Sequence, residues 1–228
     1  MSKKSKKSSQ TIPRLSQQER RRLSRLIRAG CEEADLCITI RHGVTEDELF
    51  IWALGHQGTP LHVAAAVGNI GAVEAILNNG GAIDPPDGKL ECTPLIFAAR
   101  MGREEVVRLL IERHADVHAR DMNGNTSIYY AAIGDSIDCC RLLISAGVPV
   151  DVRNMGGITG LFEAVRRDCS NSARFLVDAG ADIDALTAEN ETPFSAARDK
   201  PVMRAILEKA KLERRRGKAY ESAERASL

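Results

Sequence analysis

Thr59-Pro60-Leu61-His62 is echoed down the chain by Thr93-Pro94-Leu95-Ile96, Thr126-Ser127-Ile128-Tyr129, Thr159-Gly160-Leu161-Phe162 and Thr192-Pro193-Phe194-Ser195. The threonines stand 34, 33, 33 and 33 residues apart. Self-similarity at a fixed period of this length marks a stack of like units, each too small to bury its apolar face alone. The rest of each unit keeps phase. An Ala pair or its equivalent ends at Ala65, Ala99, Ala132 and Val165, six residues after its Thr. An apolar triplet follows at Ala75-Ile76-Leu77, Leu109-Leu110-Ile111, Leu142-Leu143-Ile144 and Phe175-Leu176-Val177.

Each feature has a physical reason. Thr caps a first helix by accepting from a backbone N–H that lacks an intrahelical partner. Pro fits the first helical position, where its missing N–H costs nothing. The Ala pair lets that helix lie close to its neighbours, and the triplet sits on a second, antiparallel helix facing the core. Gly80, Gly147 and Gly180 end the second helices in the left-handed conformation that Gly enters cheaply. Departures are informative too. Ser127 and Gly160 replace the Pro, which is expected to loosen those helix starts by up to about 1 kcal/mol. The turn before Thr93 has an extra residue and carries Pro85-Pro86-Asp87-Gly88. The last unit places Ala196-Ala197 one residue early and sets Pro201 before a second helix at about 202–211, followed by a polar stretch. It reads as a C-terminal cap.

Period, phrase and phase together resemble the ankyrin repeat, with turns such as His114-Ala115-Asp116-Val117-His118 and Gly180-Ala181-Asp182-Ile183-Asp184 in place. The resemblance covers residues 53–210. It implies an all-α ankyrin-repeat solenoid, five helix-turn-helix repeats with β-hairpin-like fingers. Residues 1–16 read as a disordered basic tail and 17–52 as an N-terminal helical cap. In that cap, Thr45-x-x-Glu48 forms a capping box before Leu49-Phe50-Ile51-Trp52. Residues 211–228 read as a basic C-terminal extension.

Composition narrows the function. No apolar run approaches the roughly 18 residues of a membrane span, and the N-terminus lacks the apolar core of a secretory signal. An intracellular protein, cytoplasmic or nuclear, is expected. Its six cysteines form no CxxC pair and read as small buried hydrophobes. Net charge is +1, yet residues 1–30 carry +9, residues 198–228 carry +5 and the body between them −13. His114 and His118 are four apart, a ligand spacing on a helix, but the phase puts them in a turn without further ligands. His62 belongs to the repeated phrase, where the family's imidazole hydrogen-bonds within and between repeats. No nucleophile–base set and no phosphate-binding fingerprint appears. No enzyme, cofactor or metal site is expected.

The resemblance implies binding through the hairpin tips and the inner face of the first helices. Seven residues after the Thr, that face holds Ala66, Arg100, Ile133 and Arg166, with Arg167 beside it and Arg198 equivalent in the last repeat after a one-residue deletion. The hairpins add Arg120, Arg153 and Asn123, and Met101, Met122 and Met155 supply adaptable apolar contact. Acids such as Glu104, Glu105, Glu112, Asp138 and Asp178 fall on the second helices. A protein partner with an acidic or mixed acidic–apolar segment is expected. Charge reversal at Arg100, Arg166 and Arg167 should then abolish capture at no cost in stability. The basic ends (Lys3, Lys4, Lys6, Lys7; Arg214, Arg215, Arg216, Lys218) admit import signals, arms on nucleic acid or another polyanion, or solvated tails. Two roles therefore stand: an adaptor, alone or within a hetero-complex, and an architectural subunit of a large assembly held by its basic termini.

Overall fold

The computed structural model describes residues 58–226, with side chains as far as Arg216. The expected tail at 1–16, the cap at 17–52 with its capping box, Lys3, Lys4, Lys6, Lys7, Cys31 and Cys37 lie outside the described residues. Among the described residues ten helices follow in order: α1 Pro60–Val67, α2 Ile70–Asn78, α3 Pro94–Arg100, α4 Glu104–Glu112, α5 Ser127–Ile133, α6 Ile137–Ser145, α7 Gly160–Arg166, α8 Ser170–Asp178, α9 Pro193–Ala196 and α10 Pro201–Ala226. They pair into five repeats. First helices α1, α3, α5, α7 and α9 stack in one row, and second helices α2, α4, α6, α8 and α10 in another. Among the described residues no strand forms; an isolated antiparallel bridge joins Arg120 and Thr126.

Helix starts follow the threonines. Thr93, Thr159 and Thr192 accept from the N–H groups of Ile96, Phe162 and Ser195 at 3.4, 3.2 and 3.2 Å. Thr126 makes no such bond, and the Ser127 hydroxyl there donates to Val117 O instead. The His62 ring is buried and links two repeats. Its Nδ1 accepts from Thr59 N–H at 2.9 Å, so Nε2 carries the proton and donates to Cys92 O at 2.9 Å.

The core between the rows is built from the small residues of the first helices. Ala64, Ala65, Ala98, Ala99, Ala131, Ala132, Ala164 and Val165 are fully buried, as are Leu110, Leu143 and Leu176 opposite them. Cys139 and Cys140 are buried free thiols in the same interior and Cys92 is buried nearer the hairpins; burial pushes Cys92 and Cys140 up to about 12. The first helices end against the following repeat. Arg103 Nε donates to Ala66 O at 2.8 Å, Cys169 Sγ to Ile133 O at 3.5 Å and Lys200 Nζ to Val165 O at 2.9 Å. At the equivalent junction Arg100 O lies where a Cβ on Gly134 would come within 2.5 Å, so only Gly fits there.

The last repeat departs from expectation twice. Its second helix begins nine residues after Thr192, whereas the other four begin eleven after theirs, so two residues are missing and not one. That helix also does not stop near 211. It runs without a break to Ala226, through the boundary expected between repeat domain and extension.

Candidate functional site

Each hairpin closes around one polar side chain. Asp87 accepts from Leu90 and Cys92 N–H at 3.0 and 2.8 Å. Asp121 accepts from Asn123 and Asn125 N–H, both at 2.8 Å, and Asn154 from Gly156 and Ile158 N–H, both at 2.9 Å. Thr187 holds Glu191 N–H at 3.1 Å. These anchors stand five residues before the capping Thr, or six in the enlarged first hairpin. Sequence reasoning missed them, although a polar residue recurring in register was the available signal. The tips then join one to the next: Met122 N–H donates to Leu90 O, Met155 N–H to Asn123 O and Ala188 N–H to Gly156 O.

The expected hairpin arginines take part in this ladder. Arg120 Nη1 donates to Gly124 O at 2.7 Å and across to Arg153 O at 3.0 Å, and Arg153 Nη1 donates to Leu186 O at 2.7 Å. They brace successive fingers from the hairpins where the sequence puts them. Met122 and Met155, at the same tips, are exposed, Met155 by 80%.

Below the tips a small cluster of Ala66, Cys92, Ile96, Phe97 and Tyr130 packs with Leu90, Tyr129 and Ile133. Tyr130 donates its hydroxyl proton to Asp121 Oδ2 at 2.7 Å, and Asn125 Nδ2 reaches the same oxygen at 2.9 Å. Asn154 Nδ2 donates to Asn125 Oδ1 at 2.8 Å and carries the network into the next repeat. Burial and the Asp121 hydrogen bond push the Tyr130 phenol up. The Arg100 guanidinium lies 5.8 Å from the Tyr130 ring centroid, within cation–π reach.

In the fourth repeat the chemistry of the face changes. The fourth residue after each Thr is Val63, Phe97 and Tyr130 in the first three repeats, all buried, and Glu163 in this one, also fully buried. Arg166 grips its carboxylate with both Nε and Nη2 at 2.8 Å, and Arg167 Nε donates to Oε1. Burial alone would raise the Glu163 carboxyl, but the two guanidiniums outweigh it and hold it below the ordinary carboxylate range. Tyr129 lies beside the group, and burial with the Glu163 charge pushes its phenol up to about 12. Lys200 Nζ adds a further cation on Val165 O and Arg166 O. Arg166 and Arg167 are thus not stability-neutral positions. An acid at either would face a buried carboxylate, which corrects the expectation of cost-free charge reversal there.

The other expected residues divide. Met101 and Arg100 are exposed at the end of α3, Ile133 is half-buried at the end of α5, and Arg198 is exposed in the turn after α9. Arg214, in the expected basic C-terminal extension, donates to Ala181 O of the preceding repeat, while Arg215 and Arg216 are exposed on α10. Lys218 belongs to the same helix, beyond the described side chains. The expected acids line the second helices, where Glu104 pairs with Arg108 at 2.7 Å and Asp138 approaches Arg141 at 4.0 Å. His114 holds a left-handed φ of 66° in its turn. Among the described residues no three His, Cys, Asp or Glu side chains come together as metal ligands. No described helix is long and apolar enough to cross a membrane.

The family model of ankyrin repeats (3 copies) matches residues 36–121 and 114–187. The chain belongs to the ankyrin-repeat family. The match begins inside the segment read as an N-terminal cap. This ankyrin-repeat chain is 39% identical over 83 residues to neurogenic locus notch homolog protein 1 of Xenopus tropicalis, covering 35% of the chain and 3% of that protein. It is 35% identical over 82 residues to the mouse (Mus musculus) protein of the same name, again 35% of the chain and 3% of the relative. It is also 35% identical over 69 residues to human ankyrin repeat and SOCS box protein 18, covering 30% of the chain and 15% of that protein. The likeness thus spans a small part of each relative. Ankyrin repeats generally mediate protein–protein interaction and are generally non-catalytic.

Proposed function

We propose that this ankyrin-repeat protein is a non-catalytic adaptor that captures an acidic or mixed acidic–apolar segment of a partner protein across the first helices and hairpin tips. The observation that carries this reading is the run of exposed groups along that face. Met101, Met122 and Met155 stand proud of the surface, and the guanidiniums of Arg100, Arg166 and Arg167 lie among them. Methionine suits an adaptable apolar contact, and cationic groups on an otherwise acidic body select partners of opposite sign.

The test is affinity capture from cells with cross-linking and mass spectrometry, using wild-type chain and a variant carrying Arg100→Glu, Met122→Asp and Met155→Asp. These three sites avoid the Glu163 cluster. The expected result is a dominant partner cross-linked near these positions and lost in the variant, which still folds cooperatively. Capture that survives in the variant but disappears when residues 1–16 are deleted contradicts the reading. Recovery of a many-component particle in that case favours the architectural role.

A further inference from the structure

We infer that Glu163, Arg166 and Arg167 form a preorganised clamp for a carboxylate side chain of the partner, with Glu163 as a positioning residue that contacts no ligand itself. This inference rests on the reading of the face as acid-binding. It deepens that reading by saying where the carboxylate goes.

The repeat phase does not call for Glu163, although its carboxylate also accepts from the Tyr129 hydroxyl. Its phase position takes Val63, Phe97 and Tyr130 in the preceding repeats, and replacing a buried ionic group by a well-packed hydrophobe is often neutral or stabilising. What Glu163 achieves lies in the arginines. Its side chain is 0% exposed while those of Arg166 and Arg167 are 54% and 53% exposed, so the carboxylate is a buried anchor beneath two half-exposed guanidiniums. Two guanidiniums offer ten N–H donors, and the anchor uses only three. The rest remain on the pair, whose long side chains no longer need to be ordered when a ligand arrives. Lys200, fixed on the carbonyls at the end of α7, adds a third cation beside Arg166. Glu191 is the exposed acid felt by Arg166, and a partner carboxylate would approach from the side away from it. The planar forks suit a carboxylate.

Simple charge counting and preorganisation predict opposite outcomes for one substitution. Glu163→Leu makes the face more positive by one charge, so Coulomb attraction alone tightens binding of an acidic peptide. If Glu163 positions the arginines, binding weakens instead. The probes are fluorescein-labelled peptides of alternating Glu-Ala and of alternating Gln-Ala, titrated by anisotropy with the full chain at fixed ionic strength. The wild type is expected to prefer Glu-Ala. Glu163→Leu is expected to weaken Glu-Ala binding about tenfold, at an equal or higher melting temperature, with Glu163→Gln in between. A wild type that shows no preference for Glu-Ala overturns the acid-binding reading and the clamp together. A wild type with that preference, beside a Glu163→Leu chain that binds as tightly or tighter, overturns the clamp alone. So does a Glu163→Leu chain that fails to fold while Glu163→Gln folds and binds at wild-type affinity.

Discussion

Asp84 and Asp151 show how far single residues are matched between repeats. Asp84 accepts the N–H of Asp116 at 2.9 Å, and Asp151 that of Asp182 at 2.9 Å. At the junction between them the donor position holds Pro149, which has no N–H, and the acceptor position holds His118 in place of Asp. Glu163 breaks the pattern in the other direction, with charge where the phase calls for an apolar group. Its carboxyl is held low in the folded chain, so the unfolded chain binds that proton more readily. The contribution to stability is therefore complete above the ordinary carboxylate value and is lost as pH falls through the folded value. Urea midpoints of wild type and Glu163→Leu, measured at a series of acidic pH values, should diverge in favour of the variant as pH falls. Parallel curves would show that Glu163 is not held in its charged form by folding. The acid in the apolar phase was visible in the sequence. Its pairing was not, because three- and four-residue spacing allows Arg166 and Arg167 to point either to Glu163 or outward.

Among the elements, the ends of the first helices decide how tightly repeats stack. Gly134 closes α5 with right-handed backbone (φ −78°, ψ 0°), a conformation that Ala adopts readily, so backbone preference alone makes Gly134→Ala harmless. The Arg100 carbonyl forbids it, since the added Cβ would come within 2.5 Å. Gly134→Ala is predicted to destabilise by about 1–3 kcal/mol, read from urea unfolding, and a neutral result would mean that α3 and α5 can part without cost. The last helix carries a second prediction. Lys211 lies 5.0 Å from the Phe194 ring centroid, and Arg214 binds Ala181 O, so residues past the expected boundary hold the final repeat. Truncation after Ala210 should lower the melting temperature further than truncation after Arg216, which keeps both contacts; equal values for the two would show that neither contact holds the repeat. The 33-residue period placed every helix pair, but it did not reveal the length of α10. Past Ala210 that helix follows no repeat pattern, and its polar sequence resembles a solvated end.

At the scale of the whole molecule, each repeat touches only its neighbours. Such a stack stays in place while side chains along one face vary, which is why the architecture was legible from Thr59, Thr93, Thr126, Thr159 and Thr192 while the binding chemistry was less so. Arg120 and Arg153 looked like Arg100 in the sequence, yet they brace the fingers through carbonyls that no periodicity displays. Capture of an acidic segment by the first helices and hairpin tips is read out by amide chemical-shift mapping of the isotope-labelled chain, titrated with the alternating Glu-Ala peptide. Shifts are expected at Arg100, Met122, Met155, Arg166 and Arg167 and not with the Gln-Ala peptide; shifts confined to α2, α4, α6 and α8, or none at all, would rule this binding face out.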